Sequence, residues 1–163
     1  MEVSNRYPFA IFRPVDMLLP MSIDPNAAAS ADSGVFGLPS TVKESRFIIV
    51  PVPFDATTSY RDGTRNGPAA VLEASYQVDL LDIDFGRPYR DGIAMLPIPR
   101  EIEKLNSEAR RFAVPVIEAG GRIQGKPRLK KALDEVNRRC ERMNEYVERS
   151  TRELLDSGKT PFV

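Results

Sequence analysis

Two carboxylates, three kinds of hydroxyl and two guanidinium groups fall within eleven residues in Asp55-Ala-Thr-Thr-Ser-Tyr-Arg-Asp-Gly-Thr-Arg65. Side chains of these types hold polar or charged ligands by directed hydrogen bonds. Their ordinary role is scaffolding. Asp55 can cap or turn a loop, Thr58 and Ser59 can bond the backbone, and Arg61 and Arg65 can pair with acids elsewhere. Gly120-Gly-Arg-Ile-Gln-Gly-Lys126 has the G-x-x-x-x-G-K spacing of a phosphate-binding loop. Such a loop needs a strand before it and a Ser or Thr after the lysine to hold Mg2+. Here Pro127 follows, with neither a hydroxyl nor an N–H, so the nucleotide-binding reading is weak. Asp79, Asp82 and Asp84 place three carboxylates within six residues. A hard cation needs a shaped cage of oxygens from several elements, and a polar turn explains the same residues. The chain has no histidine, which removes the commonest general base and the commonest transition-metal ligand.

These residues need a scaffold, and the apolar patterning supplies one. Phe47-Ile-Ile-Val-Pro-Val-Pro53 reads as a buried strand that delivers the chain into the polar segment. Pro51 and Pro53 mark where its ladder becomes irregular. Pro68 suits a first helical turn, and Val71, Ala74, Val78 and Leu81 predict a helix over 68–81. A turn follows, then a second strand over 93–98. Ile102, Leu105, Ala109 and Phe112 mark a helix face, and Val114-Pro-Val-Ile117 either continues that helix or forms an extended piece. Leu129, Leu133, Val136, Cys140, Met143, Val147 and Leu154 make one apolar stripe of a long helix over 127–157. Gly158 is its C-cap. Thr160-Pro-Phe-Val163 reads as the next parallel strand. In such α/β folds, loops leaving the carboxyl ends of strands are where ligands bind, so the 55–65 loop is the candidate site. Cys140 lies on the long stripe, where a free thiol behaves as a small hydrophobe.

Lys plus Arg and Asp plus Glu number 23 each, so the formal net charge is zero. No global field favours nucleic acid or an anionic membrane. No apolar run reaches the ~20 residues of a transmembrane helix, and the single cysteine fits a reducing compartment. The expected location is cytoplasmic. Residues 1–46 contain five prolines and no sustained period. Their apolar residues, among them Phe9, Ile11, Phe12, Met17, Leu18, Leu19, Val35, Phe36 and Leu38, predict an arm that packs on something.

The central stretch also carries a family resemblance. P-V-P-F-D-x-x-T-S-Y-R-x-G-x-R-x-G-P-x-A-x-x-E-A-S, from Pro51 to Ser75, resembles the N-terminal signature region of the ureohydrolases, the arginase and agmatinase family, and is most similar to the agmatinase-like branch. Asp62 stands where many members have proline, and Asn66 where many have an aromatic residue. The resemblance implies a partial three-layer α/β/α sandwich with a parallel sheet, the arginase-like fold, cut before the strands that carry the metal ligands. It implies an N-terminal arm over 1–46 and the first part of the ureohydrolase α/β domain over 47–163. It also implies hydrolysis of a linear guanidino compound to urea and an amine, using two Mn2+ ions. No catalytic residue and no metal ligand transfers to this chain, so the fragment alone is expected to be inactive. Asp55, Thr58, Ser59, Tyr60, Arg61 and Arg65 resemble the segment that shapes the active-site mouth. The implied partners are a small guanidino substrate and other copies of the chain, contacted through the arm. A truncated, non-catalytic relative serving as a binding or assembly subunit is the competing reading.

Overall fold

The computed structural model describes residues 33–84 and 86–163. The expectations for residues 1–32, including most of the arm and its proposed contacts with other copies, lie outside the described residues.

Three short parallel strands form the sheet: β1 (Phe47–Ile49), β2 (Ile93–Met95) and β3 (Thr160–Phe162), in the order β2-β1-β3. Phe47 pairs with Ile93 and Thr160, and Ile49 with Met95 and Phe162. Side chains alternate between faces along a strand, so Ile48, Val50, Ala94 and Leu96 share one face. Ile48, Val50 and Ala94 are buried there with Leu154, and Val42, Leu96 and Tyr146 pack around them. The opposite face carries Phe47, Ile49, Ile93, Met95 and Phe162. It is only half covered, with Phe162 53% exposed.

The ladder is shorter than the apolar runs suggest because prolines interrupt it. After Ile49, the Val50 N–H still donates to the Phe162 carbonyl at 2.7 Å. Pro51 and Pro53 have no N–H to continue the pattern. Pro97 likewise follows β2, which ends at Met95 rather than Ile98. In β3, Thr160 donates to the Arg46 carbonyl and Phe162 accepts from Val50. Pro161 therefore presents its missing donor to the outer edge of the sheet, where proline is tolerated.

Two helices carry most of the remaining core. α2 (Arg100–Glu118) buries Ile102, Leu105, Asn106, Ala109, Ala113 and Val116 along one stripe. The ambiguous Val114–Ile117 piece is helical, with Pro115 inside the last turns. α3 (Pro127–Asp156) begins at its proline and runs back against α2. Arg139 of α3 pairs with Glu108 of α2 at 3.5 Å and lies 4.7 Å over the Phe112 ring, while Arg142 pairs with Glu101 at 3.4 Å. Its Leu154 and Tyr146 sit on the sheet. The result is a parallel sheet flanked by helices, the partial sandwich expected.

The first helix differs from expectation. A 3-10 turn (Thr64–Asn66) leads into α1 (Gly67–Ala74), and a second 3-10 turn (Ser75–Gln77) ends it. Val78 is extended, so the helical run ends at Gln77, four residues before the predicted end at Leu81. Val71, Val78 and Leu81 are each more than half exposed, so their helical spacing does not mark a core stripe. Side-chain bonds of Ser75 and Asp79 explain the early stop. The Ser75 hydroxyl donates to the Leu72 carbonyl and accepts from the Phe36 N–H, and the Asp79 carboxylate accepts from the Leu81 N–H. Short polar side chains of this kind compete with the helical ladder. Within the C-terminal part of the expected arm, Val35 and Leu38 are buried and the Ser33 carbonyl accepts from the Tyr76 hydroxyl.

Candidate functional site

Where β1 ends, Pro51 and Pro53 carry the chain inward and Asp55 is buried. The Thr58 N–H and hydroxyl both donate to the Asp55 carbonyl, at 3.1 and 2.9 Å, which turns the chain outward. Ser59, Tyr60, Arg61 and Asp62 are exposed. At Gly63 the chain returns, with φ at +122°. That backbone conformation favours glycine, and it aims the Gly63 N–H at the Asp55 carboxylate.

Asp55 is the hub of the loop. Its side chain has no solvent exposure. One carboxylate oxygen accepts from the Gly63 N–H at 2.6 Å and the Arg65 N–H at 3.2 Å. The other accepts from the Asn106 amide at 3.1 Å and the Arg65 guanidinium at 3.5 Å. The Asp55 N–H donates to the Asn106 Oδ1 at 2.8 Å. Burial works to raise the Asp55 pKa, but the Gly63 and Arg65 N–H groups, the Asn106 amide and the Arg65 charge outweigh it and hold the carboxyl below its usual range. The negative form is the one these donors stabilise.

Two of these contacts come from α2, which sequence reasoning did not single out. Asn106 is 1% exposed on the apolar stripe of that helix. Arg110, one turn further on, donates to the Thr58 carbonyl at 2.7 Å and the Ala56 carbonyl at 3.3 Å. The legible signal was Asn106 itself, an amide between Leu105 and Ala109 on the face predicted to be buried.

Asp55, Thr58 and Arg65 are therefore brought together, whereas Ser59, Tyr60 and Arg61 lie at an exposed tip. The Tyr60 ring is 87% exposed, and the Arg61 guanidinium lies 5.3 Å from its centroid. Asp62, the departure from the usual proline, pairs with Arg65 at 3.4 Å. Its hydrogen bond, followed by the Asp55 charge, holds the Arg65 guanidinium still more firmly protonated. The base of the loop is fixed by buried hydrogen bonds and its tip faces solvent.

The other candidates are structural. Gly120–Lys126 joins one helix to another, not a strand to a helix, so it is not built as a phosphate-binding loop. The Asp79 and Asp82 carboxylates accept the Leu81 and Asp84 N–H groups in tight turns. Cys140 is half-buried on the α3 stripe, and burial first, then Glu141, raises its thiol pKa. Among the described residues no three His, Cys, Asp or Glu side chains gather as a metal ion would require. The buried carboxylate of Asp55 is already surrounded by hydrogen donors. These residues do not fit the dinuclear Mn2+ centre that the resemblance implies. No described helix is long and apolar enough to cross a membrane.

A parallel sheet flanked by helices, with a polar loop at the carboxyl end of its central strand, defines an α/β protein of the class that binds ligands at that edge. The arginase family profile matches residues 45–163, and the chain belongs to the arginase family. N(1)-aminopropylagmatine ureohydrolase of Synechocystis sp. is 49% identical over 43 residues, 26% of this chain and 14% of that protein. The enzyme of the same name from Thermococcus kodakarensis is 41% identical over 56 residues, 34% of this chain and 18% of that protein. Agmatinase of Pyrococcus horikoshii is 36% identical over 44 residues, 27% of this chain and 16% of that protein. The chain thus spans 14% to 18% of the length of these relatives where it matches them. No solved structure matches the chain.

Proposed function

We propose that this chain supplies the first strand, loop and helices of an agmatinase-like hydrolase that cleaves a linear guanidino compound to urea and an amine. Residues 47–163 form the first part of its α/β domain, and residues 1–46 an arm that contacts other copies in a cytoplasmic homo-oligomer. The observation that carries the reading is the 55–65 loop. It leaves the carboxyl end of the central strand, as a ligand-binding loop does in this class of fold, and a buried carboxylate fixes its base. Relatives named for agmatine and N(1)-aminopropylagmatine support the substrate class.

Asp55, Thr58, Ser59, Tyr60, Arg61 and Arg65 form part of the substrate mouth in this reading. Asp55 and Arg65 set the shape of the loop, and Ser59, Tyr60 and Arg61 face the passage. Two carboxylates and two guanidiniums cancel within the loop, so it shapes a passage and does not concentrate cations. Two Mn2+ ions are the proposed cofactor of the whole enzyme, held by side chains other than those described. In this reading the chain alone carries no turnover.

Incubating the purified 163-residue chain with Mn2+ and agmatine or N(1)-aminopropylagmatine, and measuring urea, tests the reading. Urea at the level of the protein-free control is expected. Sustained release proportional to chain concentration would overturn it.

A further inference from the structure

We propose that Asn106 and Arg110 of α2 are positioning residues of the 55–65 loop, setting the direction in which Ser59, Tyr60 and Arg61 leave the fold. The inference rests on the reading of that loop as a substrate mouth and names the helix that governs it.

Asn106 sits on an apolar stripe where a leucine would bury more favourably. An amide so placed costs stability unless both its polar atoms are satisfied. They are satisfied by one residue of the loop: Oδ1 accepts the Asp55 N–H, and Nδ2 donates to the Asp55 carboxylate. The amide thereby fixes both the backbone and the side chain of Asp55, and the side chain in turn holds the Gly63 and Arg65 N–H groups across the loop. Arg110 adds a second clamp one turn along the same helix, on the outgoing limb at Ala56 and Thr58. The apolar anchors of the loop are confined to its start, where Pro53 and Ala56 are buried. Beyond them its direction depends on these polar bonds. Because a buried hydrogen bond is directional, rotation or translation of α2 would re-aim the tip.

A role exerted through the Asp55 carboxylate has a signature that simple packing lacks. The charged group facing Asp55 is the Arg65 guanidinium, with Asp62 on its far side, and the neutral donors are Asn106, Gly63 N–H and Arg65 N–H. Arg110 faces the Ala56 and Thr58 carbonyls instead. The amide proton shifts of Gly63 and Arg65, followed by NMR against pH in the 163-residue chain, report protonation of their shared acceptor. In Asn106→Ala the carboxylate loses one donor, and the midpoint rises by about one pH unit, a roughly tenfold gain in proton affinity. Arg110→Gln leaves that midpoint in place and raises hydrogen exchange across residues 57–62.

Should Asn106→Ala not fold, Asn106→Ser removes the same amide with a smaller loss of polarity and carries the same readout. A midpoint within ~0.3 pH units of the parent chain in the folded Asn106 variant would overturn the proposal, as would unchanged exchange in Arg110→Gln. The readout involves no turnover. Its failure removes the positioning role and leaves the hydrolase reading standing, whereas urea release by the isolated chain removes the latter alone.

Discussion

Replacing Asp55 should cost more stability than its place in a polar loop suggests. The carboxylate accepts four donors at 2.6 to 3.5 Å with no solvent exposure of its own. A hydrogen bond to a charged group contributes about 1.5–3 kcal/mol net. The contributions do not add in full, because in Asp55→Ala the loop can open and return the Gly63 and Arg65 N–H groups to water. Asn106 cannot follow, being 1% exposed within α2, and keeps an amide donor without its carboxylate. The expected loss is about 3 kcal/mol, within the range for breaking a buried polar pair. Asp55→Asn preserves the shape but sets an amide N–H2 against N–H donors, and should cost about 2 kcal/mol. Urea unfolding followed by circular dichroism measures both. With a slope of about 2 kcal/mol/M, Asp55→Ala lowers the midpoint by about 1.5 M. A loss under ~1 kcal/mol for Asp55→Ala would refute the hub argument, since it would mean the four bonds are replaced by water at no cost.

Further expectations follow from the same geometry. The Asp55 carboxyl has a folded pKa below its unfolded value of about 3.9, so its contribution is complete above that value and is lost as pH falls through the folded pKa. Acid unfolding of Asp55→Asn should lack that part of the transition, and identical acid profiles would contradict it. Gly92 has φ at +76°, and a Cβ there would stand 2.7 Å from the Ser45 Cα. Gly92→Ala should cost about 2–4 kcal/mol from strain and displaced backbone together, against about 1–2 kcal/mol for Gly63→Ala, where a Cβ meets open space; denaturant midpoints rank the two. Leu154→Ala, which empties space between α3 and the sheet, should cost about 2–4 kcal/mol, and a smaller shift in thermal unfolding would place that contact outside the core. Cys140 should alkylate more slowly in the native chain than in urea at pH 8, because burial raises its thiol pKa; equal rates would show the stripe to be open there.

The strands and the two long helices were legible because each carries a pattern that only one structure uses. Phe47-Ile-Ile and Ile93-Ala-Met are short β-branched or apolar runs bounded by prolines, and the α3 stripe from Leu129 to Leu154 repeats at helical spacing. Their lengths were less legible, since an apolar run continues past the point where proline ends its ladder, as at Pro51 and Pro97. α1 misled for a related reason. Val71, Ala74, Val78 and Leu81 have helical spacing, but side-chain bonds from Ser75 and Asp79 end the helix, and spacing alone carries no record of competing hydrogen bonds. In the loop, residue types pointed to Asp55 and Arg65. That Asn106, 51 residues away, would clamp Asp55 depends on how α2 packs, which no local pattern specifies. The unusual feature was nevertheless visible as one amide on an apolar stripe.

In the proposed reading the described residues form the scaffold and rim of a dinuclear hydrolase, and no three His, Cys, Asp or Glu side chains among them gather to hold an ion. Titrating the chain with Mn2+ and following the free-ion signal by electron paramagnetic resonance addresses that claim directly. The free signal should rise in proportion to added metal from the first addition. Disappearance of two equivalents per chain before any free signal grows would contradict it.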